Sequence, residues 1–190
     1  MKYLIVYGST REERQGIKAA RLVERTVCES GHDAVLIDPL EYDFGVLRKM
    51  YKSYEQGSAP EKLEEFRGHI VSSDAVIVVS GEYNHSIPPG LANLLDHFLE
   101  EWFFKPSLIV TYSSGGFGGV RAGVQLRSLL GEIGTLSVSS MVAFPRVGDF
   151  SDDGTPPDAR AVENLTRALV ELGWYADAIK AKRDSDGTPF

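Results

Sequence analysis

The chain has 190 residues, a formal net charge of −7 and one cysteine, Cys28. An acidic chain without clustered lysines and arginines does not suit nucleic acid or an anionic membrane as a partner, because both require concentrated positive charge. One cysteine excludes a disulfide framework and a cysteine-based zinc site, and its position late in the first predicted helix suggests a buried or half-buried thiol. With no apolar run long enough to cross a bilayer and no visible signal peptide, we expect a cytoplasmic protein.

Five short runs rich in β-branched residues alternate with amphipathic segments. They predict strands at 2–7, 33–38, 74–80, 107–113 and 135–143. This alternation is typical of a parallel sheet with helices on both faces, and for five strands the doubly wound order 2-1-3-4-5 is expected. We therefore predict a single α/β, flavodoxin-like domain over residues 1–181. The polar composition of the tail, 182–190, favours disorder.

Three helices show clear hydrophobic periodicity. The first is predicted to begin near Gln15 and to end at Gly31, and the last carries valine and leucine at helical spacing over 162–172. The strongest pattern, from Leu91 to Trp102, predicts one continuous helix that ends in the aromatic run 102–104. Such a run is typical of a core or a subunit interface, and from it we expect a homodimer or homotetramer.

The first strand runs directly into a loop rich in glycine and hydroxyl side chains, Gly8 to Gly16. A turn of this kind leaves backbone N–H groups unpaired at the positive end of the next helix, and Arg11 and Arg14 add charge nearby. The loop lacks the Lys-Ser/Thr ending of a P-loop, and no G-x-G-x-x-G is present, so a single phosphate fits it better than a triphosphate or a dinucleotide. An ordinary turn with solvated arginines is the alternative.

Two further loops follow strands three and four, which lie beside strand one in the expected order. The loop over 81–90 places Tyr83 next to Asn84, a pair that can cover a flat heterocycle and hydrogen-bond to its edge. The loop over 113–119 holds four glycines, which let a ligand approach the backbone. A packed turn and a flexible linker are the alternatives. All three loops share the edge at which doubly wound proteins bind ligands.

Together, these loops resemble those of the NAD(P)H-dependent FMN reductases. The matching residues are Gly8-Ser9-Thr10-Arg11 with Arg14 and Gly16, Glu82-Tyr83-Asn84 with Ser86-Ile87-Pro88, Asn93, Asp96, and Ser114-Gly115-Gly116 with Gly118-Gly119 and Arg121-Ala122. The resemblance extends to about Asp153. It implies a flavodoxin-like flavoprotein of the group that includes azo, quinone and chromate reductases. The chain departs from the family at Gly81 and Ala92, where Pro and Lys are common.

The resemblance also implies which residues bind FMN. Those expected to hold the phosphate are Ser9, Thr10, Arg11, Arg14, Gln15 and Gly16. Those expected to border the isoalloxazine are Glu82, Tyr83, Asn84 and His85, and those expected to reach its pyrimidine end are Ser113, Ser114, Gly115 and Gly116. The flavin N5 would carry the redox chemistry, so no catalytic side chain and no metal ligand is predicted.

These expectations favour an FMN-dependent oxidoreductase. It would take electrons from NADPH or NADH and pass them to a small acceptor, which could be a free flavin, a quinone, an azo compound or a metal oxyanion. One alternative is a flavodoxin-type electron carrier that docks to protein partners, and another is a flavin-free binding protein of the same fold. A receiver domain requires acidic residues where Gly8 and Ser9 stand, and a low-molecular-weight phosphatase requires a cysteine in the first loop.

Overall fold

Five parallel strands form the centre of the structure, a computed structural model that describes residues 1–189. In chain order they are β1 (Lys2–Tyr7), β2 (Asp33–Ile37), β3 (Ala75–Ser80), β4 (Pro106–Tyr112) and β5 (Leu136–Phe144). Their hydrogen-bonded order is β2-β1-β3-β4-β5, which confirms the predicted topology. Every residue of β3 and β4 is buried, as central strands require when helices cover both faces of a sheet.

Within this part of the chain, five α-helices cover the sheet. They are α1 (Ile17–Glu29), α2 (Glu61–Ser72), α3 (Pro89–Asp96), α4 (Val120–Glu132) and α5 (Arg160–Asp186). Short 3-10 turns are formed by Tyr51–Ser53, Glu100–Trp102 and Val147–Asp149. One hydrophobic cluster lies under α1 and α5 and contains Ile5; the other lies under α2, α3 and α4 and contains Val6. Neighbouring residues of β1 enter different clusters because side chains alternate across a strand.

The helix after β3 is shorter than predicted. It ends at Asp96, and a 3-10 turn follows Leu99, whose backbone angles (φ −141°, ψ −71°) are not helical. The break turns Trp102 inward, where its fully buried ring packs edge-on against Phe66 and Phe98. The prediction of one continuous helix was therefore wrong. Because Trp102 lies in the core of its own chain, it no longer supports the expectation of a subunit interface.

Two other expectations also need correction. Cys28 is exposed, because the buried face of α1 passes through the adjacent Val27 and leaves the next position outside. The last helix continues to Asp186 and so occupies part of the segment 182–190 that was predicted to be a disordered tail. An ion pair between Lys182 and Asp186, one helical turn apart, supports this end of α5. The last residue, 190, lies outside the described residues.

No helix within residues 1–189 has both the length and the apolar character needed to cross a membrane. The same residues contain no group of three or more histidine, cysteine, aspartate and glutamate side chains placed to hold a metal ion.

Candidate functional site

Three loops meet at the carboxyl edge of the sheet, where β1, β3 and β4 end. They enclose a cavity of about 180 Å³. Its lining residues are Ser9, Arg11, Glu13, Arg14, Gln15, Gly16, Gly81, Glu82, Tyr83, Tyr112, Ser113, Ser114 and Val147. The sheet order brings these loops together, because the carboxyl ends of adjacent parallel strands lie side by side. A larger cavity, of about 600 Å³, lies near the start of β5 at the opposite edge and contains none of the predicted site residues.

Ser9, Arg11 and Arg14 of the first loop all line the cavity, but the Arg14 side chain is already paired. The Ser9 hydroxyl lies 2.8 Å from that of Tyr83, and the Arg11 guanidinium carbon lies 4.2 Å from the centre of the Tyr83 ring. The Arg14 guanidinium instead donates to both carboxylate oxygens of Asp38 and, over 3.1 Å, to the Ser9 carbonyl. Arg11 is therefore the arginine of this loop that remains open to a ligand, whereas Arg14 fixes the loop backbone.

Tyr112, the last residue of β4, forms part of the cavity wall and accounts for the presence of glycine at positions 16 and 81. A Cβ at Gly16 would lie 2.0 Å from the Tyr112 ring, and one at Gly81 would lie 3.1 Å from it. Only glycine at position 16 leaves room for this ring. Burial raises the pKa of the Tyr112 hydroxyl, which lies 3.4 Å from the Tyr7 hydroxyl, so the side chain stays neutral.

Thr10 and Gln15, both within the first loop, have different surroundings. Gln15 is exposed and lines the cavity. Thr10 does not line it; its methyl group lies against Gly90, where an added Cβ would approach it to 2.8 Å. The structure thus brings five of the six predicted phosphate-loop residues to the cavity and directs Thr10 towards α3.

Residues Tyr83 to Ser86 form a tight hairpin turn at the second loop. The N–H groups of Tyr83 and Ser86 donate to each other's carbonyl groups over 3.0 and 2.9 Å, and Asn84 and His85 have left-handed backbone angles (φ 51° and 63°). These features match a two-residue primed turn. Gln125 of α4 accepts a hydrogen bond from the Ser86 hydroxyl and donates one to the His85 carbonyl. Tyr83 lines the cavity, whereas Asn84 and His85 are exposed outside its lining.

The Glu82 carboxylate caps the N-terminus of α4. It accepts hydrogen bonds from the backbone N–H of Arg121 over 3.0 Å and from the guanidinium of the same residue over 3.2 Å. A carboxylate at this position satisfies an otherwise unpaired N–H and interacts favourably with the helix dipole. Glu82 therefore joins the second loop to the helix that follows the third loop.

The third loop is organised by the side chain of Ser113. Its hydroxyl accepts from the N–H of Gly118 over 2.8 Å and donates to the carbonyl of Gly115 over 2.9 Å. Among the described residues, the N–H groups of Ser114, Gly115 and Gly116 have no acceptor. A Cβ at Gly115 or Gly116 would meet nothing within 4 Å. Packing does not require these two glycines, and the open N–H groups suit a carbonyl or an anion.

Sequence reasoning did not assign Glu13, Gly81, Tyr112 or Val147 to the site, although all four line the cavity, and it did not identify Asp38 as the partner of Arg14. Asp38 holds Arg14, Tyr112 lines the cavity, and Val147 joins the wall because its N–H donates to the Ser113 carbonyl over 3.0 Å. The available signal was position, since Asp38 follows β2 and Tyr112 ends β4 at the same edge of the sheet. Neither residue type in isolation indicates a flavin site.

Comparison with known proteins identifies the family. Residues 1–149 match the profile of the NADPH-dependent FMN reductases. The chain belongs to this family. It is an oxidoreductase with FMN as its cofactor and NAD(P)H as its electron donor, and the resemblance inferred from the three loops is confirmed.

Two curated relatives of this FMN reductase show the extent of the similarity. A quinone reductase of Pseudomonas putida is 32% identical over 131 residues, which cover 66% of this chain and 67% of the relative. An NAD(P)H-dependent FMN reductase of Saccharomyces cerevisiae is 30% identical over 144 residues, which cover 68% of this chain and 73% of the relative. Each relative thus matches about two thirds of this chain.

Solved structures share the fold. The flavoenzyme NAD(P)H:(acceptor) oxidoreductase FerB from Paracoccus denitrificans superposes with a TM-score of 0.74 at 22% identity and covers 95% of this chain and 97% of its own. A flavodoxin from Pseudomonas aeruginosa superposes with a TM-score of 0.55 at 20% identity, with 95% and 99% covered. At these identities the likeness shows a common flavodoxin-like architecture.

Proposed function

We propose that this FMN reductase passes electrons from NAD(P)H through bound FMN to a small acceptor, with quinones as the first candidates. The observation that carries the proposal is the 2.8 Å contact between Ser9 and Tyr83, which joins the predicted phosphate loop to the predicted ring loop in one cavity. Relatives named quinone reductase in Pseudomonas putida and Escherichia coli support the acceptor class. When bound, FMN accepts a hydride and releases the electrons to a second substrate, while the protein supplies binding and orientation.

In this proposal the FMN phosphate is held at the first loop. Ser9 offers a hydroxyl, and Arg11 offers a guanidinium that carries no carboxylate partner among the described residues. Hydrogen bonds from a charged donor to a phosphate are roughly twice as strong as neutral ones. Arg14 acts indirectly, because its pair with Asp38 and its bond to the Ser9 carbonyl hold the loop in shape.

The isoalloxazine is assigned to the second and third loops. Tyr83 lines the cavity and offers an aromatic surface. Gly115 and Gly116 lie outside the cavity lining, and their open N–H groups suit the pyrimidine end, where a reduced ring would carry negative charge. Glu82 positions both loops through Arg121. Asn84 and His85 lie on the exposed turn beside the cavity. We therefore propose that they contact only the outer border of the ring.

Assembly and location remain predictions. A homodimer or homotetramer is still expected to complete the open cleft, although Trp102 gives no support for it. Sedimentation velocity at micromolar concentration tests the assembly, and a clean monomer would contradict it. A cytoplasmic location is likewise still only predicted.

The decisive experiment follows NADPH and NADH oxidation by the FMN-loaded protein, anaerobically, with and without benzoquinone. We expect nucleotide consumption that depends on both quinone and FMN. The likeness to flavodoxin keeps one alternative in the test, since an electron carrier would bind FMN yet consume almost no NAD(P)H. A protein that retains no yellow flavin after incubation with FMN and gel filtration would contradict the proposal.

A further inference from the structure

A second cavity, of about 430 Å³, lies next to the proposed flavin site, beyond the end of β5. Its walls include the apolar side chains of Phe144, Phe150 and Pro157 and the polar side chains of Arg146 and Asn164. The segment after β5 separates the two cavities, because Val147 lines the flavin cavity and the preceding residue lines this one. The two cavities are therefore neighbours along this segment.

The backbone of Arg146 is held in an unfavourable conformation by the third loop. Its angles (φ 49°, ψ 47°) are left-handed, which costs energy for a residue with a Cβ. Its N–H donates to the Gly115 carbonyl and its carbonyl accepts from the Asp149 N–H, each over 2.9 Å. Strain of this kind persists only where the surroundings impose it, and it concentrates at ligand sites.

The guanidinium of Arg146 has no hydrogen bond or ion pair with any residue from 1 to 189. The other arginine of this cavity differs, because Arg160 Nε lies 3.3 and 3.2 Å from the two carboxylate oxygens of Asp158. Asp149 is the remaining carboxylate of the cavity wall. The uncompensated cation in this cavity is therefore Arg146, at the side that borders the flavin site.

We propose that this cavity binds the adenosine half of NADPH and that Arg146 binds its 2′-phosphate. The proposal rests on the proposed function, since a nicotinamide at the flavin places the remote half of the molecule in a neighbouring depression. Pro157, which is exposed, offers an apolar surface to the adenine, and the exposed Asn164 amide offers both a donor and an acceptor to its edge. The Asp149 carboxylate suits a ribose hydroxyl donor rather than a phosphate.

Arg146 would then determine the preference for NADPH over NADH. The two dinucleotides differ only in the 2′-phosphate, and a guanidinium can bind that group through two charge-assisted hydrogen bonds. One such contact changes affinity by roughly tenfold or more. Because the residue is exposed, the preference should also weaken as salt is added.

The test measures binding by calorimetry to the FMN-loaded protein, with adenosine 2′,5′-bisphosphate and 5′-AMP as probes. We expect the wild type to bind the bisphosphate at least about tenfold more tightly, and Arg146→Gly to lose most of that preference. Glycine is chosen because it accepts the left-handed backbone without strain. The control Lys182→Ala removes the same charge from an exposed side chain near the opposite edge and should keep the wild-type preference.

Equal affinity of the wild type for the two probes, failure to bind either, or an undiminished preference in Arg146→Gly would overturn the proposal. In turnover, Arg146→Gly should raise the KM for NADPH about tenfold and change the KM for NADH less than about twofold. The calorimetric result needs no electron acceptor. A failure of the 2′-phosphate site is thereby distinguished from a failure of quinone reduction, which only the wild-type turnover assay reports.

Discussion

The Arg11 guanidinium covers the ring of Tyr83, with its central carbon 4.2 Å from the ring centre. A residue of the first loop thus lies over an aromatic side chain of the second loop. An exposed cation–π contact contributes about 0.5–1 kcal/mol, whereas a hydrogen bond from a charged donor contributes about 1.5–3 kcal/mol. We therefore expect Arg11 to exchange the ring for a phosphate when FMN binds.

The first prediction concerns phosphate recognition. Arg11→Ala should raise the dissociation constant for FMN by roughly ten- to a hundredfold, because one charge-assisted hydrogen bond is lost. Riboflavin lacks the phosphate, so its affinity should change little and serves as the internal control. Flavin fluorescence titration measures both. Equal affinity of the wild type for FMN and riboflavin would contradict the assignment of the first loop.

The second prediction concerns the Arg14–Asp38 pair, whose side chains are each only 14% exposed. Asp38→Ala removes the two hydrogen bonds from Arg14 and one from the Leu40 N–H, and it leaves a partly buried guanidinium without its carboxylate. The free energy of unfolding should therefore fall by about 2 kcal/mol. Lys62→Ala breaks the more exposed pair with Glu65, which water screens, and should change the free energy of unfolding much less. Urea denaturation compares them. Similar losses for both variants would show that the Arg14 pair has no special role.

The third prediction distinguishes a glycine required for packing, Gly16, from one proposed to contact the ligand, Gly115. Gly16→Ala places a methyl group inside the Tyr112 ring and should destabilise the fold by about 1–3 kcal/mol. Gly115→Ala meets open space and should leave the midpoint of thermal unfolding unchanged, yet weaken FMN binding where the ring approaches the backbone. Thermal unfolding and flavin titration are measured on both. Full FMN affinity in Gly115→Ala would remove that residue from the site.

The fourth prediction tests whether Trp102 stabilises the core of its own chain or a subunit interface. Trp102→Ala should lower the free energy of unfolding by about 3–5 kcal/mol, because the fully buried ring leaves a cavity beside Phe66 and Phe98. Val124→Ala, at an exposed position on α4, is the control and should have little effect. If Trp102→Ala kept its stability and only dissociated an oligomer in sedimentation, the residue would be an interface residue after all.

The fifth prediction follows from Lys105, which is buried and donates to the Ser73 carbonyl over 2.7 Å. Burial lowers its pKa from 10.5 to about 8. Between these pH values the unfolded chain binds more protons than the native chain, so stability should rise with pH by up to about 1.4 kcal/mol per unit. Burial raises the pKa of Tyr3 to about 12, which opposes this trend only above pH 10. Lys105→Met should abolish the rise over pH 8–10 in urea denaturation, whereas Lys62→Met should keep it.

The sequence by itself determined the sheet and the edge at which the three loops of the candidate site meet. Each strand was predicted to within two residues, because β-branched runs and turn residues are local signals that reflect burial directly. Strand number and alternation then implied the order, and the order placed the three loops at one edge. Helix ends were predicted less well. Leu99 continues the apolar pattern from Leu91 to Trp102 but has a non-helical backbone, and the pattern alone does not reveal this break.

Only the tertiary structure showed which groups each side chain of the candidate site contacts. Arg14, which was predicted to hold the phosphate, pairs with Asp38, 24 positions away, and Glu82 caps a helix 39 positions further along the chain. Tyr112 enters the wall because Gly16, distant in sequence, leaves space for its ring. Ion pairs, helix caps and packing contacts of this kind depend on which residues lie close together in the folded chain. Local periodicity in the sequence does not reveal that proximity.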